Sequence, residues 1–191
     1  MTSLEWVAAA LGLICVALAV RRNLWNYAFG IASTGVLAFV VFDARLYSQA
    51  LLQLFFVAIN AYGFLNWRRA KADGGEVAVE RMSAIEIALW LAAAVVATLG
   101  WGLAMDRLTD AAQPLGDAAI AVASVAAQLL MARRKLENWL LWIAVDVASV
   151  PLFLAQGLTV VAGLYLVYLA LAVWGLVDWR RAYRLSGAVP A

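Results

Sequence analysis

Apolar positions in this sequence come in long blocks, with none of the alternation of a half-buried strand. Crossing a hydrocarbon core as a helix takes about 20 mainly apolar residues. Blocks of that size fall near 4–20, 24–42, 46–66, 85–105, 116–132, 138–155 and 158–178, several separated by only a few residues. The pattern predicts seven spans in an up-and-down bundle. The one long polar interruption, "WRRAKADGGEVAVERMSA" (67–84), carries Gly74-Gly75 and reads as a solvent-exposed linker. A secretory signal places positive residues before its apolar core. Here Arg21 and Arg22 follow the first block and Glu5 opens it, so the first block reads as an uncleaved helix.

Composition agrees with the pattern. The chain has 191 residues, 66% hydrophobic and 14% charged, with a mean hydropathy of +0.89. Soluble domains carry about 25% charged residues, so this is an integral membrane protein with no room for a large soluble domain. The net charge of +2 gives no reason to expect a nucleic-acid partner. Its distribution is more informative. With seven spans, Arg21, Arg22, Arg68, Arg69, Lys71, Arg81, Arg133, Arg134, Lys135, Arg180, Arg181 and Arg184 fall on one side, and only Arg45 and Arg107 on the other. Cytoplasmic loops hold the Lys/Arg excess, which predicts a cytoplasmic C-terminus and an N-terminus facing outward.

The sequence also repeats itself. Shifted by 112 residues, "RRNLWN" (21–26) falls on "RRKLEN" (133–138), and "YGFLNWRRA" (62–70) on "WGLVDWRRA" (174–182). Apolar coincidences are cheap in such a composition; matches at Arg21/Arg133, Arg22/Arg134, Asn26/Asn138, Gly63/Gly175, Trp67/Trp179, Arg68/Arg180 and Arg69/Arg181 are not. One period holds four spans, so the two copies cross the membrane in the same direction. The expected fold is all-α: two parallel three-helix repeats joined by a linking helix, 3+1+3. Residues 1–69 form the first repeat, 70–115 the linker and linking helix, and 116–191 the second repeat and tail. Parallel repeats are a known transporter plan, with the substrate near the midplane at their interface.

The polar residues inside the spans form stripes. Asn138, Trp142 and Asp146 stand at i, i+4, i+8, with Trp139 on the same broad face of a 3.6-residue helix. Their repeat equivalents are Asn26, Gly30, Thr34 and Tyr27, which suggests room opposite Trp142 where Gly30 has no side chain. Gln53, Phe56, Asn60, Gly63 and Trp67 line up similarly, extended by Gln49; their equivalents are Tyr165, Tyr168, Ala172, Gly175 and Trp179. Polar side chains at membrane depth avoid lipid and face the bundle interior or a wet cavity. Asp146 is the one acid well inside a span, with no Lys or Arg at its depth. Asn26, Asn60 and Asn138 suit either a substrate or interhelical hydrogen bonds. Trp67 and Trp179, beside arginine pairs, read as interface anchors. Pro151 removes a backbone donor one turn beyond Asp146 and suggests a bend. Cys15, the sole cysteine, reads as packing.

This interior has one carboxylate, amides, phenols and an indole, and no cation. It suits a flat, uncharged or cationic solute better than a phosphate, since aromatic faces attract cations and amides can hold hydroxyls or a carboxamide. There is no histidine, carboxylate dyad, metal cluster or activated nucleophile, so neither an enzyme nor a cofactor is expected.

These residues resemble a known family. "NWLLWIAVDVASVPLFLAQGL" (138–158) with "LYLVYLALAVWGLVDWRR" (164–181) is similar to the C-terminal signature of the PnuC nicotinamide riboside transporters. "WNYAFGIASTGVLAFVVFDARLYSQALLQLFFVAINAYGFLNWRR" (25–69) resembles their N-terminal half. The resemblance implies a 3+1+3 plan similar to the SWEET sugar transporters, facilitated import of the dephosphorylated vitamin, and a homotrimer in the bacterial inner membrane. It also implies that Asn138, Trp142, Gln53, Tyr165 and Tyr168 line the substrate site; Asp146, Asn60, Trp139 and Asn26 join them from the stripes. One departure is "GLTVVA" after span six, with Thr159 where the family favours an aromatic. Thiamine or riboflavin transport on the same fold, and a non-transporting receptor or scaffold, are the alternatives.

Overall fold

The structure, a computed structural model, describes residues 3–43, 47–108, 114–155 and 157–186, with backbone only at 41, 47–51 and 186. Gln49 and Arg45 thus lie outside the described side chains. Among the described residues there are seven helices: α1 Ser3–Val20, α2 Trp25–Asp43, α3 Tyr47–Gly74, α4 Ala84–Leu108, α5 Pro114–Ala132, α6 Asn138–Ala155 and α7 Thr159–Ser186. Five of them, α1, α4, α5, α6 and α7, are long and apolar enough to cross a membrane, and α2 has a shorter apolar stretch at Trp25–Val40.

Local chemistry sets the ends. Pro114 opens α5, where its missing N–H costs nothing. Ser83 and Glu86 form a capping box at the start of α4: the Glu86 N–H donates to Ser83 Oγ at 3.2 Å and the Ser83 N–H to Glu86 Oε2 at 2.7 Å. α3 and α7 run some eight residues past their expected ends, because "RRAKADG" and "RRAYRLS" are built mainly of good helix formers without proline. α3 stops at Gly75, whose φ of 75° is the left-handed conformation of a helix C-terminus. α6 stays helical through Pro151.

α1 packs on α2, α2 on α3, α3 on α5, α5 on α6, α6 on α7, and α7 back on α1. These contacts close a ring of six helices. α4 stands outside it, packed on α5. The approach is tight at Gly102, where a Cβ would lie 2.5 Å from Leu115 Cδ2.

The 112-residue offset reappears in backbone geometry. Arg22 (φ 52°) and Arg134 (φ 60°) are the two non-glycine residues with positive φ among the described residues. Each ends a helix the same way. The Arg22 N–H donates to Ala19 O at 3.0 Å and the Asn23 N–H to Leu18 O at 3.0 Å; the Arg134 N–H donates to Met131 O at 2.9 Å and the Lys135 N–H to Leu130 O at 2.9 Å. This is the double hydrogen bond of a Schellman cap, closed by arginine where glycine is usual. An L-residue in that conformation costs roughly 1–2 kcal/mol. Ion pairs hold both arginines: Arg22 Nη1 lies 2.8 Å from Asp178 Oδ2, and Arg134 pairs with Glu80.

The expected exposed linker is corrected. After α3, only 75–83 is non-helical, and it lies across the end of the bundle as a strap. Val77, Val79 and Met82 are buried, because they supply the apolar surface that covers this end of the helices. The Glu80 N–H donates to Arg134 O at 2.9 Å and the Leu136 N–H to Glu80 O at 2.8 Å, tying the strap to the α5–α6 turn. Lys135 Nζ is 3.3 Å from Glu80 Oε2, and Arg81 Nε 3.4 Å from Glu137 Oε1.

Candidate functional site

At the arginine-rich end the ring is closed by aromatic side chains. Tyr27, Trp67, Trp139 and Trp179 are fully buried. Tyr27 meets Trp67 edge-on at 5.0 Å, Trp67 meets Trp179 at 5.7 Å, and Trp179 meets Trp139 edge-on at 5.6 Å. The rings fit because two helices lack side chains beneath them. A Cβ on Gly63 would come within 2.4 Å of Tyr27, and one on Gly175 within 2.6 Å of Trp139.

The expectation that Trp67 and Trp179 are interface anchors is corrected here. Trp67 Nε1 donates to Met131 O at 3.0 Å, and Trp179 Nε1 to Ala19 O and Val20 O at 3.1 Å. Each indole N–H is thus spent on helix-end carbonyls contributed from across the ring; Met131 O and Ala19 O also accept the cap N–H groups of Arg134 and Arg22. Burial explains the difference: an interfacial tryptophan keeps its N–H in the headgroup region, whereas these N–H groups are spent inside the protein. Asn66 Nδ2 adds a bond to Ala132 O at 2.8 Å.

Asn26 and Asn138 sit at the rim of this closed end, both buried. Each turns its amide back on the preceding turn, Asn26 Nδ2 to Asn23 O at 2.6 Å and Asn138 Nδ2 to Lys135 O at 2.7 Å. Among the described residues, four buried polar atoms at this end have no partner: Tyr27 OH, Arg134 Nε, Asn138 Oδ1 and Trp139 Nε1.

A second group of polar side chains lies deeper. At a rise of 1.5 Å per residue, Asp146 lies about 10 Å beyond Trp139 along α6, and Asn60 about 10 Å before Trp67 along α3. Both are buried. Gln128 of α5 donates from Nε2 to Asn60 Oδ1 at 2.9 Å. Trp142, one turn before Asp146, is half-buried against the aromatic closure, and its Nε1 is buried without an acceptor among the described residues. From α7, Tyr165 lies 6.0 Å ring to ring from Tyr168. Tyr168 OH comes against Gly12 of α1, where a Cβ would be 2.5 Å away. Gln53 is half-buried further along α3.

The space expected opposite Trp142 at Gly30 is not there. A Cβ on Gly30 would lie 3.1 Å from Asn60 Oδ1 and 3.2 Å from Cys15 Sγ, so the missing side chain admits Asn60 and the thiol. Sequence reading passed over Gln128 and Gly12. Gln128 did carry a signal, as a lone amide within an apolar span. Its repeat equivalent is Val16, and that of Asn60 is Ala172, so the amide pair belongs to one side of the ring alone.

Comparison with known proteins places this arrangement. The family described as nicotinamide mononucleotide transporter matches residues 2–181. The chain belongs to this transporter family. The nicotinamide riboside transporter PnuC of Escherichia coli (strain K12) is 30% identical, over 97% of this chain and 89% of that protein. The riboflavin/roseoflavin transporter RibM of Streptomyces davaonensis is 34% identical, over 92% of this chain and 83% of its own. Among solved structures, the crystal structure of the vitamin B3 transporter PnuC superposes with a TM-score of 0.77 at 30% identity, covering 95% of this chain and 82% of that one. The protein is a multi-pass, all-helical membrane protein whose relatives are transporters.

Proposed function

We propose that this protein takes up nicotinamide riboside, a precursor of NAD, by facilitated diffusion. The observation that carries the reading is the Trp142 indole N–H, buried without an acceptor, on one helix face with Asp146 and Asn138. A buried donor left unpaired costs about 1–3 kcal/mol, and a ligand acceptor would recover that. The riboside offers a pyridinium cation to Asp146 and aromatic faces, a carboxamide to amide side chains, and ribose hydroxyls to Tyr165, Tyr168, Gln53 and Asn60. Asn26, Asn138 and Trp139 close the site toward the arginine-rich end.

In this reading all seven helices cross the bacterial inner membrane, N-terminus outside and C-terminus in the cytoplasm, and three copies assemble. The halves are parallel repeats in a 3+1+3 plan with the substrate between them at the midplane. Support comes from the matched Schellman turns at Arg22 and Arg134, the matched glycine–aromatic contacts at Gly63 and Gly175, and the exchanged bonds of Trp67 and Trp179. The aromatic closure is then the cytoplasmic gate, and release requires Trp67 and Trp179 to part. The unpaired Tyr27 OH, Asn138 Oδ1 and Trp139 Nε1 raise the energy of the closed state and favour that parting.

A riboflavin carrier is the second reading, favoured by the identity to RibM. Calorimetric titration of the purified protein with nicotinamide riboside, thiamine and riboflavin separates them. Selective binding of the riboside supports the first reading. Binding of riboflavin or thiamine alone reassigns the vitamin, and silence from all three overturns transport of any of them.

A further inference from the structure

The outward face of α7 changes character along its length. Leu166, Val173, Trp174 and Val177 are exposed and apolar, the surface a membrane-crossing helix offers to lipid. One turn later the same face presents Arg180, Arg181 and Arg184, all exposed, followed by exposed Leu185. Val177, Arg180, Arg181, Arg184 and Leu185 follow the i, i+3, i+4, i+7, i+8 spacing of one helix stripe and line an open groove of ≈ 450 Å³.

None of the three guanidinium groups has a carboxylate partner among the described residues. Asp178, the nearest acid in sequence, is taken by Arg22 at 2.8 Å, while Glu80 and Glu137 are held by Arg134, Lys135 and Arg81. The equivalent stripe on α3 differs: Leu65, Arg68, Arg69, Ala72 and Asp73. It has lost one arginine, and Asp73 stands four residues from Arg69, within reach on one helix face. The two halves match almost residue for residue in their buried turns, so this departure singles out α7.

We propose that this stripe of α7 is a binding site for an anionic phospholipid, with its phosphate on Arg180, Arg181 and Arg184. The occupant has to carry negative charge and hydrocarbon together, because the guanidinium groups continue a lipid-facing apolar face without a break. Its acyl chains lie along Val177 and Val173, and Trp174 stands at the level of the glycerol backbone. A ring at that depth suits the membrane interface, and Arg21 lies over the Trp174 ring at 5.8 Å, adding positive charge beside the groove. A soluble acidic partner would leave the apolar part of the stripe unused.

The test is native mass spectrometry of the purified full chain, loaded with phosphatidylglycerol or phosphatidylcholine of matched acyl chains. Wild-type protein retains phosphatidylglycerol in preference. Each arginine near a charged membrane surface contributes enough that its removal weakens retention about fivefold, so Arg180→Gln, Arg181→Gln and Arg184→Gln each lower it and the triple variant loses it. The Arg68→Gln/Arg69→Gln variant keeps it. Equal retention of the two lipids by wild type overturns the proposal without any variant. So does undiminished phosphatidylglycerol on the single variants, or displacement of the lipid by inorganic phosphate alone.

Discussion

Trp67 and Trp179, 112 residues apart, touch ring to ring at 5.7 Å, and each donates its indole N–H to a helix-end carbonyl of the opposite half. The contact seals the closed end. Trp67→Phe and Trp179→Phe keep a ring and delete the donor. Each is expected to lower unfolding stability by about 1 kcal/mol. Because the rings touch, the double variant departs from additivity. A thermal double-mutant cycle checks this, and strict additivity would argue against a shared seal.

The unpaired Trp139 N–H predicts the opposite sign. Trp139→Phe removes a buried donor that has no acceptor while keeping an aromatic ring. The closed state should gain stability, or at least lose none, and turnover in liposomes should fall because opening no longer relieves that group. Faster transport with a lower melting temperature would contradict the gate.

Glycine at 63 and 175 is required by contact. Gly175→Ala drives a methyl group to 2.6 Å from the Trp139 ring, and Gly63→Ala to 2.4 Å from Tyr27. Overpacking of this kind costs about 1–3 kcal/mol. Gly35→Ala is the control: nothing lies within 4 Å of its Cβ position, and alanine favours a helix interior by up to about 1 kcal/mol. Melting temperatures should fall for the first two and hold or rise for the third.

The strap carries a pH dependence. Partial burial alone would raise the Glu80 pKa, but hydrogen bonds and charge from Arg134 and Lys135 outweigh it and hold the carboxyl below its ordinary value. A lowered folded pKa contributes stability above the ordinary carboxylate range and loses it as pH falls through the folded value. Glu80→Gln should therefore destabilise modestly at neutral pH, by less than about 1 kcal/mol for so exposed a pair. The difference from wild type should vanish in acid. A difference unchanged down to low pH would exclude the carboxylate as its source.

Asp146→Asn separates cationic from neutral solutes. If Asp146 faces the pyridinium, the change weakens riboside binding by roughly tenfold or more, as expected for a lost charge-assisted contact. An uncharged flat vitamin should be little affected. Calorimetry with both solutes reads this directly.

Most of the fold was legible because its signals are local or periodic. Apolar block length located the helices, and the sequence matches at Arg22/Arg134 and Trp67/Trp179 recur as like helix-end turns and like indole hydrogen bonds. Contacts between helices were not legible. Nothing local tells that Trp67 turns inward to Met131 and not outward to headgroups, since both fates suit a tryptophan beside an arginine pair. Gly30 read as empty space because its neighbours Asn60 and Cys15 come from other helices. The strap read as linker because its buried residues, Val77, Val79 and Met82, are separated by polar ones. Among candidate site residues, the structure sets Asp146 and Asn60 about two helix turns from the closed end, packs Trp142 against the aromatic closure, and leaves Asn26, Asn138 and Trp139 at that end.

The most direct test of riboside transport is flux. Purified protein is reconstituted into liposomes without any ion gradient and supplied with radiolabelled nicotinamide riboside. The label should equilibrate across the membrane, and Trp142→Ala should abolish this while the protein remains folded. Binding without flux, or flux that Trp142→Ala leaves intact, would contradict the account.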